Sequence, residues 1–217
     1  FEGLPEVLRR VRAGTEGAEI RLHAEPLLLR HLVPAWIHRL KLKRPNLDVI
    51  LSELAEVDLD VLRRGDCDAF LAYLPEVPSD IAVETIATMR PFLVLPSGHP
   101  LAARKRVTLT KLAAETFISY HEELAAAALQ RQALGRQGVH PERFIQTGSA
   151  ETILALVEAG LGYSLVPSLD PEGPRWPGVT AHELKSPRME FPVFLAWRRD
   201  MPEHPAFDDL LATAPST

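Results

Sequence analysis

Two stretches far apart in this chain read alike, and together they constrain its fold most. One spans residues 20–34, IRLHAEPLLLRHLVP, and the other residues 147–167, TGSAETILALVEAGLGYSLVP. Each joins a short strand to a helix through a polar or Pro-containing turn, so each aims a helix N-terminus at the end of a strand. Small ligands sit at such points in open α/β sheets, because unpaired backbone N–H groups and the helix dipole converge there. One such turn in each half of the chain predicts two α/β lobes with a cleft between them. It also predicts a small-molecule binder before an enzyme.

The rest of the chain alternates strand and helix patterns. Apolar spacing predicts an amphipathic helical tail over 4–12, a strand over 20–24, a helix over 27–42 and a strand over 47–54. A helix over 59–64 closes at Gly65, and a short strand follows over 67–73. Further strands are expected over 81–85, 92–96, 116–120, 144–147, 163–166, 179–184 and 191–197, with helices over 109–113, 124–134, 151–159 and 206–212. Strands separated by helices of this length argue for βαβ units and mostly parallel sheets.

Composition excludes several classes. The 217 residues carry a net charge of −5, which leaves no overall electrostatic footprint for nucleic acid. The one cysteine, Cys67, forms no internal disulfide, so nothing calls for an oxidising compartment. No apolar run of about 18 residues reads as a membrane span, and no signal-peptide core is visible. The chain opens on Phe1 rather than Met, which reads as a piece of a longer protein whose other part has a separate function.

The residues AEPLLLRHLVP (24–34), RPNLDVILSE (44–53), LRRGDCDAFLAY (62–73), LVLPSGHPLA (93–102), TLTKLAAETFISY (108–120) and ETILALVEAGLGYSLVP (151–167) follow one another at a specific spacing. In that order the chain resembles the effector-binding domain of LysR-type transcriptional regulators, from about residue 18 to about residue 211. The resemblance implies an α/β fold like the type 2 periplasmic binding proteins, with two subdomains joined by two crossover strands and an effector cleft between them. Residues 1–17 would be the end of a linker helix and a linker. Residues 18–88 plus 190–217 would form regulatory subdomain I, and 89–189 regulatory subdomain II. A winged helix-turn-helix, absent here, would carry DNA binding. The family also implies an antiparallel homodimer through the helices over 34–42 and 124–134, and a tetramer in the full-length protein. The cytoplasm is the expected location, with no membrane partner and no cofactor.

Several residues become candidates for the effector site by this resemblance. At the first turn, Glu25 and Leu27 stand where relatives often carry Ser or Thr hydroxyls that receive an effector carboxylate. Glu25 reads either as a helix-capping carboxylate facing solvent or as a cleft group that takes a donor from the ligand. Pro26 fits the first helical turn, where a missing N–H costs nothing. Ala55 replaces a frequent Thr. Tyr73 ends a strand as a rim aromatic or a stacking partner. Tyr120 and His121 begin a loop that lines the pocket in relatives and is several residues shorter here; His121 is a pH-sensitive donor or a solvated loop residue. Thr147, Gly148 and Ser149 open a helix with hydroxyls and free N–H groups, and so form the best remaining anion acceptor, with a plain N-cap as the competing reading of Ser149. A ligand carboxylate is therefore expected at 147–149, and a neutral, hydroxylated or cationic group near Glu25.

Other residues take structural explanations. Cys67 between Asp66 and Asp68 reads as a buried thiol, since negative neighbours disfavour the thiolate. The eight His show no metal-ligand spacing. His99-Pro100 is a turn, Glu122-Glu123 a solvated face, and Ser164 and Ser168 lack a nucleophile-elbow setting. Gly160-Leu161-Gly162 lacks the third glycine of a dinucleotide fingerprint and follows a helix, so it is a helix exit. No catalytic constellation is visible. A periplasmic solute-binding protein of the same fold is the alternative reading.

Overall fold

The computed structural model describes residues 19–54, 57–185 and 188–215. The helix expected over 4–12, and Ala55, lie outside them. The chain forms two compact units, Phe1–Ala87 with Val193–Thr217 and Thr88–Pro192. It passes from the first to the second within β4 (Ile81–Pro96) and back within β9 (Phe191–Arg198).

In the first unit the strand order is β2 (Asp48–Glu53), β1 (Glu19–Ala24), β3 (Ala69–Ala72), β9. β1 is parallel to both neighbours, and its alternating pattern buries Ile20, Leu22 and Ala24 completely. β2 is an edge strand that leaves Ile50 and Leu51 each 44% exposed. Two helices follow β1: α1 (Pro26–His31) and α2 (Val33–Lys43). The single helix expected over 27–42 is thus divided at Leu32. Pro34 is the physical reason, because it has no N–H for the carbonyl four residues back and its ring crowds that turn. Trp36 of α2 is fully buried, and its indole N–H donates to the Leu210 carbonyl at 3.0 Å and the Thr213 hydroxyl at 3.2 Å. That contact, with the Arg44–Asp209 ion pair at 2.6 Å, docks α6 (Phe207–Ala212) on α2. The short α3 (Asp60–Arg63) covers β3 through Leu62, beside Cys67 and Phe70.

In the second unit β4 is flanked by β7 (Ser164–Ser168) and β8 (Val179–Glu183), both antiparallel to it. β5 (Thr116–Tyr120) pairs in parallel with β6 (Arg143–Thr147), joined by α4 (Ala125–Arg136). α5 (Ala150–Glu158) links β6 to β7 and buries Ile153, Leu154 and Val157 against Val94, Ile118 and Val166. A 3₁₀ turn at Leu109–Leu112 precedes β5.

Two further expectations need correction. The sheets are mixed rather than mostly parallel. β8 and β9 follow β7 without an intervening helix, and parallel neighbours in sequence would need a longer crossover. The strands expected over 81–85 and 92–96 are one 16-residue strand. Ile86 and Met89 are buried and carry it through. Pro91 faces Pro167 across the antiparallel ladder, so neither residue needs to donate to the other. The expected helix exit at 160–162 does form. Gly160 takes φ +77°, and a Cβ on Gly162 would run into the Thr116 carbonyl.

Candidate functional site

Each unit gathers its candidate residues where strands end. In the first unit, β1 and β3 are parallel neighbours, so the turn after Ala24 lies beside the end of β3. The Glu25 N–H donates to the Leu71 carbonyl at 3.3 Å, and the Tyr73 N–H donates to Glu25 Oε1 at 3.2 Å. Glu25 is only 8% exposed and makes no capping hydrogen bond to α1. It is therefore not a capping carboxylate facing solvent. Burial pushes its carboxyl up to about 7, against the opposing pull of the Tyr73 N–H. Among the described residues its second oxygen has no hydrogen-bond donor. The turn is a poor anion site for a second reason. Pro26 has no N–H, and the Leu28 and Leu29 N–H groups both go to the Glu25 carbonyl, at 2.9 and 3.0 Å. Pro26 is exposed, and Leu27 and Tyr73 are half-buried beside it.

In the second unit, the parallel register sets Tyr120 opposite Thr147. The residues after both strands therefore meet. The His121 N–H donates to the Thr147 carbonyl at 3.0 Å, and the His121 ring lies 3.7 Å from where a Cβ on Gly148 would sit. An alanine at 148 would only touch that ring in ordinary van der Waals contact. Ser149 is the N-cap of α5, its hydroxyl accepting from the Thr152 N–H at 3.2 Å and lying 2.9 Å from the Thr152 hydroxyl. The Ile153 N–H goes to the Ser149 carbonyl at 3.1 Å. Capping and ligand contact are compatible here, since a hydroxyl has two acceptor lone pairs as well as a donor. Replacing Ser149→Ala is expected to lower stability by about 1 kcal/mol through loss of the cap. Urea denaturation checks this, and an unchanged midpoint would count against the capping role.

Tyr120, expected to begin a pocket-lining loop, is a core residue of its strand. It is 5% exposed and packs with Val94, Ile118 and Ile153 in the core of the second unit. Its backbone N–H donates to Oε1 of Gln130 at 3.0 Å. Gln130 escaped the sequence reading, yet it is 3% exposed and organises a buried polar network. Its amide donates to the Leu165 carbonyl at 2.8 Å and to the Ser164 hydroxyl at 3.2 Å, and Ser164 donates onward to the Ile118 carbonyl at 2.6 Å. A lone Gln in an Ala-rich helix gives no sequence signal of this. Only the end-on approach of two strands to one helix face does.

The remaining residues have structural roles. Cys67 is 3% exposed, and burial together with Asp68 pushes its thiol up to about 12. Asp68 instead serves Arg21, accepting its backbone N–H at 2.8 Å and its guanidinium at 3.1 Å. His99 accepts the Leu101 N–H on Nδ1 at 3.1 Å, which leaves Nε2 to donate to Glu115 at 3.2 Å. Glu122 and Glu123 are exposed. Among the described residues no group of three or more His, Cys, Asp or Glu could hold a metal ion. Among them no helix is long and apolar enough to cross a membrane.

Comparison with known proteins gives this geometry a family. The LysR substrate binding domain matches residues 13–216. A probable hydrogen peroxide-inducible genes activator of Mycobacterium avium is 32% identical over 155 residues, covering 69% of this chain and 49% of that protein. An HTH-type transcriptional regulator of Bacillus subtilis (strain 168), YybE, is 26% identical over 76% of this chain and 56% of its own length. The chain thus spans about half the length of the curated relatives it matches, which are transcriptional regulators. Among solved structures, the BenM effector binding domain with its effector benzoate superposes with a TM-score of 0.77 at 25% identity, over 90% of this chain and 89% of that one. The effector binding domain of QuiR in complex with shikimate, at 16% identity and a TM-score of 0.79 over 91% of this chain and 95% of that one, shares the fold. With the family matched over almost its whole length and an α/β fold of the type 2 periplasmic-binding-protein kind, this chain belongs to the LysR substrate-binding domains, the ligand-sensing regulatory domains of LysR-type regulators.

Proposed function

We propose that this chain senses a small-molecule effector for a LysR-type transcriptional regulator, whose DNA-binding winged helix-turn-helix lies outside these residues. The two units then correspond to regulatory subdomains I and II. The observation that carries the reading is Glu25: a buried carboxyl at a strand-to-helix turn, with one oxygen held by a backbone N–H and the other left without a donor. Such a group is costly to the empty protein and is relieved by a ligand that donates a hydrogen bond or brings a cation. Anionic groups are instead received at Thr147-Gly148-Ser149, with His121 alongside.

Two relatives are named with carboxylates, benzoate and shikimate. For this chain the absence of hydroxyls at 25 and 27 favours an effector that also carries an amine or hydroxyl. A redox signal does not suit it, since its one cysteine is buried and holds its proton firmly. The periplasmic solute-binding alternative is not favoured by regulators as relatives. We read the domain as a binder without turnover, working in the cytoplasm as a homodimer through α2 and α4, and reaching DNA only through the missing part. Leu42 of α2, 71% exposed, supplies apolar surface for that contact.

A thermal-shift screen of small acids, amines and hydroxy acids at pH 7.5 tests the reading, because binding raises stability by RT ln(1 + [L]/Kd). Hits bearing a donor should lose about tenfold in affinity in Glu25→Gln, a charge-assisted hydrogen bond being worth about 1.5–3 kcal/mol. They should be recovered unchanged by mass spectrometry. Hits that bind wild type and Glu25→Gln equally, or that are converted, would refute the assignment.

A further inference from the structure

Residues 104–111, in the second unit, hold most of the cations left without partners among the described residues. The side chains of Arg104, Lys105, Arg106 and Lys111 are exposed and make no hydrogen bond or ion pair there. Elsewhere cations are tied down. Arg21, Arg44 and Arg63 hold carboxylates, and Arg39 and Arg199 hold backbone carbonyls. Arg131 and Arg136 are also unpaired, but they lie on α4, the helix we assign to the homodimer contact. Consecutive residues are about 3.8 Å apart along the chain, well inside the screening length of about 8 Å at physiological salt. The fields of residues 104–106 therefore add.

The segment is held in place by its apolar residues. Leu109 and Leu112 of the 3₁₀ turn are fully buried, Ala102 is buried, and the Arg104 N–H donates to the Leu101 carbonyl at 3.0 Å. The four cations are what this packing leaves outside. His99 ties the preceding turn to Glu115 at 3.2 Å, and so engages the carboxylate nearest to the run in sequence. Arg143, the register partner of Thr116, brings a further positive charge to this end of β5, and Glu142 beside it offsets that charge. The helix exit after α5 arrives at the same end. Gly162 lies against the Thr116 carbonyl, the Tyr163 N–H donates to that carbonyl at 3.0 Å, and Leu161 stands 48% exposed. A single exposed leucine is ordinary. At the same strand end as a row of unpaired cations, it makes a mixed surface with one apolar anchor.

We propose that this end of the second unit docks an acidic segment of another protein, one with carboxylates on either side of an apolar side chain. The carboxylates meet the cations of residues 104–111, and the apolar side chain lies on Leu161. Arginine suits this role because its fork presents paired donors to a carboxylate. A short segment also matches the number of cations. Duplex DNA matches it less well. Its binding commonly rests on about 6–10 phosphate contacts, the whole chain carries a net charge of −5, and Leu161 offers nothing to a phosphate backbone. β5 carries the chain from this end to Tyr120, about 13 Å further on. A docked segment therefore leaves the turn at 147–149 open, and the proposal does not rest on the effector reading above.

The probe is a capped peptide with two glutamates on each side of a leucine, titrated into the ¹⁵N-labelled chain. At about 50 mM salt it should shift the amides of Ala103, Arg106, Lys111 and Leu161, and at about 0.5 M salt the shifts should vanish. Arg104→Ser combined with Arg106→Ser should weaken the peptide about fivefold, within what exposed ion pairs supply. The melting temperature should stay the same, since neither side chain bonds to the rest of the protein. A peptide with glycine in place of leucine should bind about threefold more weakly. Absence of shifts at millimolar peptide, or shifts confined to α4 or to residues 147–149, would overturn the proposal. Equal binding of the glycine peptide would reduce the surface to plain ionic attraction and overturn it too. A duplex of about 20 base pairs that shifts the same amides as strongly at physiological salt would make nucleic acid the occupant instead. Sedimentation showing that the double variant loses a dimer formed by wild type would give these residues to a second copy, again against the proposal.

Discussion

Glu25→Gln is expected to stabilise this protein at alkaline pH by up to about 3 kcal/mol. Burial raises the Glu25 carboxyl from its ordinary 4.5 to about 7 in the folded chain. Below pH 4.5 both folded and unfolded chains hold the proton, and this group takes nothing from stability. Between pH 4.5 and about 7 the folded chain binds the proton more tightly, so its stability falls as the pH rises. Above about 7 the loss is complete, because the carboxylate must then be buried as an anion. Glutamine keeps an oxygen for the Tyr73 N–H and cannot ionise. The variant should therefore match wild type near pH 4.5 and melt roughly 5–10 °C higher at pH 8. Taking the difference between the two proteins at each pH cancels every other titration. A constant difference across that range would show that Glu25 is solvated in the folded chain. The same comparison bears on function, since a site that spends stability on a buried carboxyl is relieved only when a ligand arrives to satisfy it.

That consequence could be half-read from the sequence. The substitution of Glu for a family hydroxyl at 25 is visible in EPLLL, and so is the loss of an anion contact. Which way the carboxylate turns is not visible, because helix-start Glu residues usually face water. The answer comes from β3: its parallel pairing with β1 brings the Tyr73 N–H to Glu25, a contact 48 residues away in sequence. Strand and helix identities were legible from apolar spacing, as with α5 and its glycine exit. Two boundaries turn on proline in ways that local spacing does not show. Pro34 split a helix that periodicity joined, and Pro91 failed to split a strand because its partner is also a proline. Residues 147–149 were legible as a helix start, and Ser149 does cap it. Tyr120 was legible only as a strand end. Its burial depends on α5 and β7, which approach from later in the chain.

Gln130→Ala is expected to be the most damaging single change in the second unit, at about 3–5 kcal/mol. Two effects add. Truncation opens a cavity beneath α4, where neighbouring Ala127, Leu129 and Ala133 are buried and too short or too fixed to refill it. It also strands the Tyr120 N–H and the Leu165 carbonyl, both of which lie in the core and reach no water in its place. Ser164 suffers less, because its hydroxyl keeps the Ile118 carbonyl as acceptor. Gln130→Glu separates the two contributions. It fills the space and keeps an acceptor for Tyr120, but it sets a carboxylate against the Leu165 carbonyl, so it should be nearly as destabilising at neutral pH and recover as acid protonates the new side chain. Gln130→Met keeps volume without either bond, and should fall between wild type and alanine. Chemical denaturation of the four proteins checks the order. If alanine and methionine prove equally unstable, packing contributes little and the hydrogen bonds alone hold the helix to its strands. If alanine costs less than about 1 kcal/mol, water enters to replace the amide and the network is not a structural requirement of the fold.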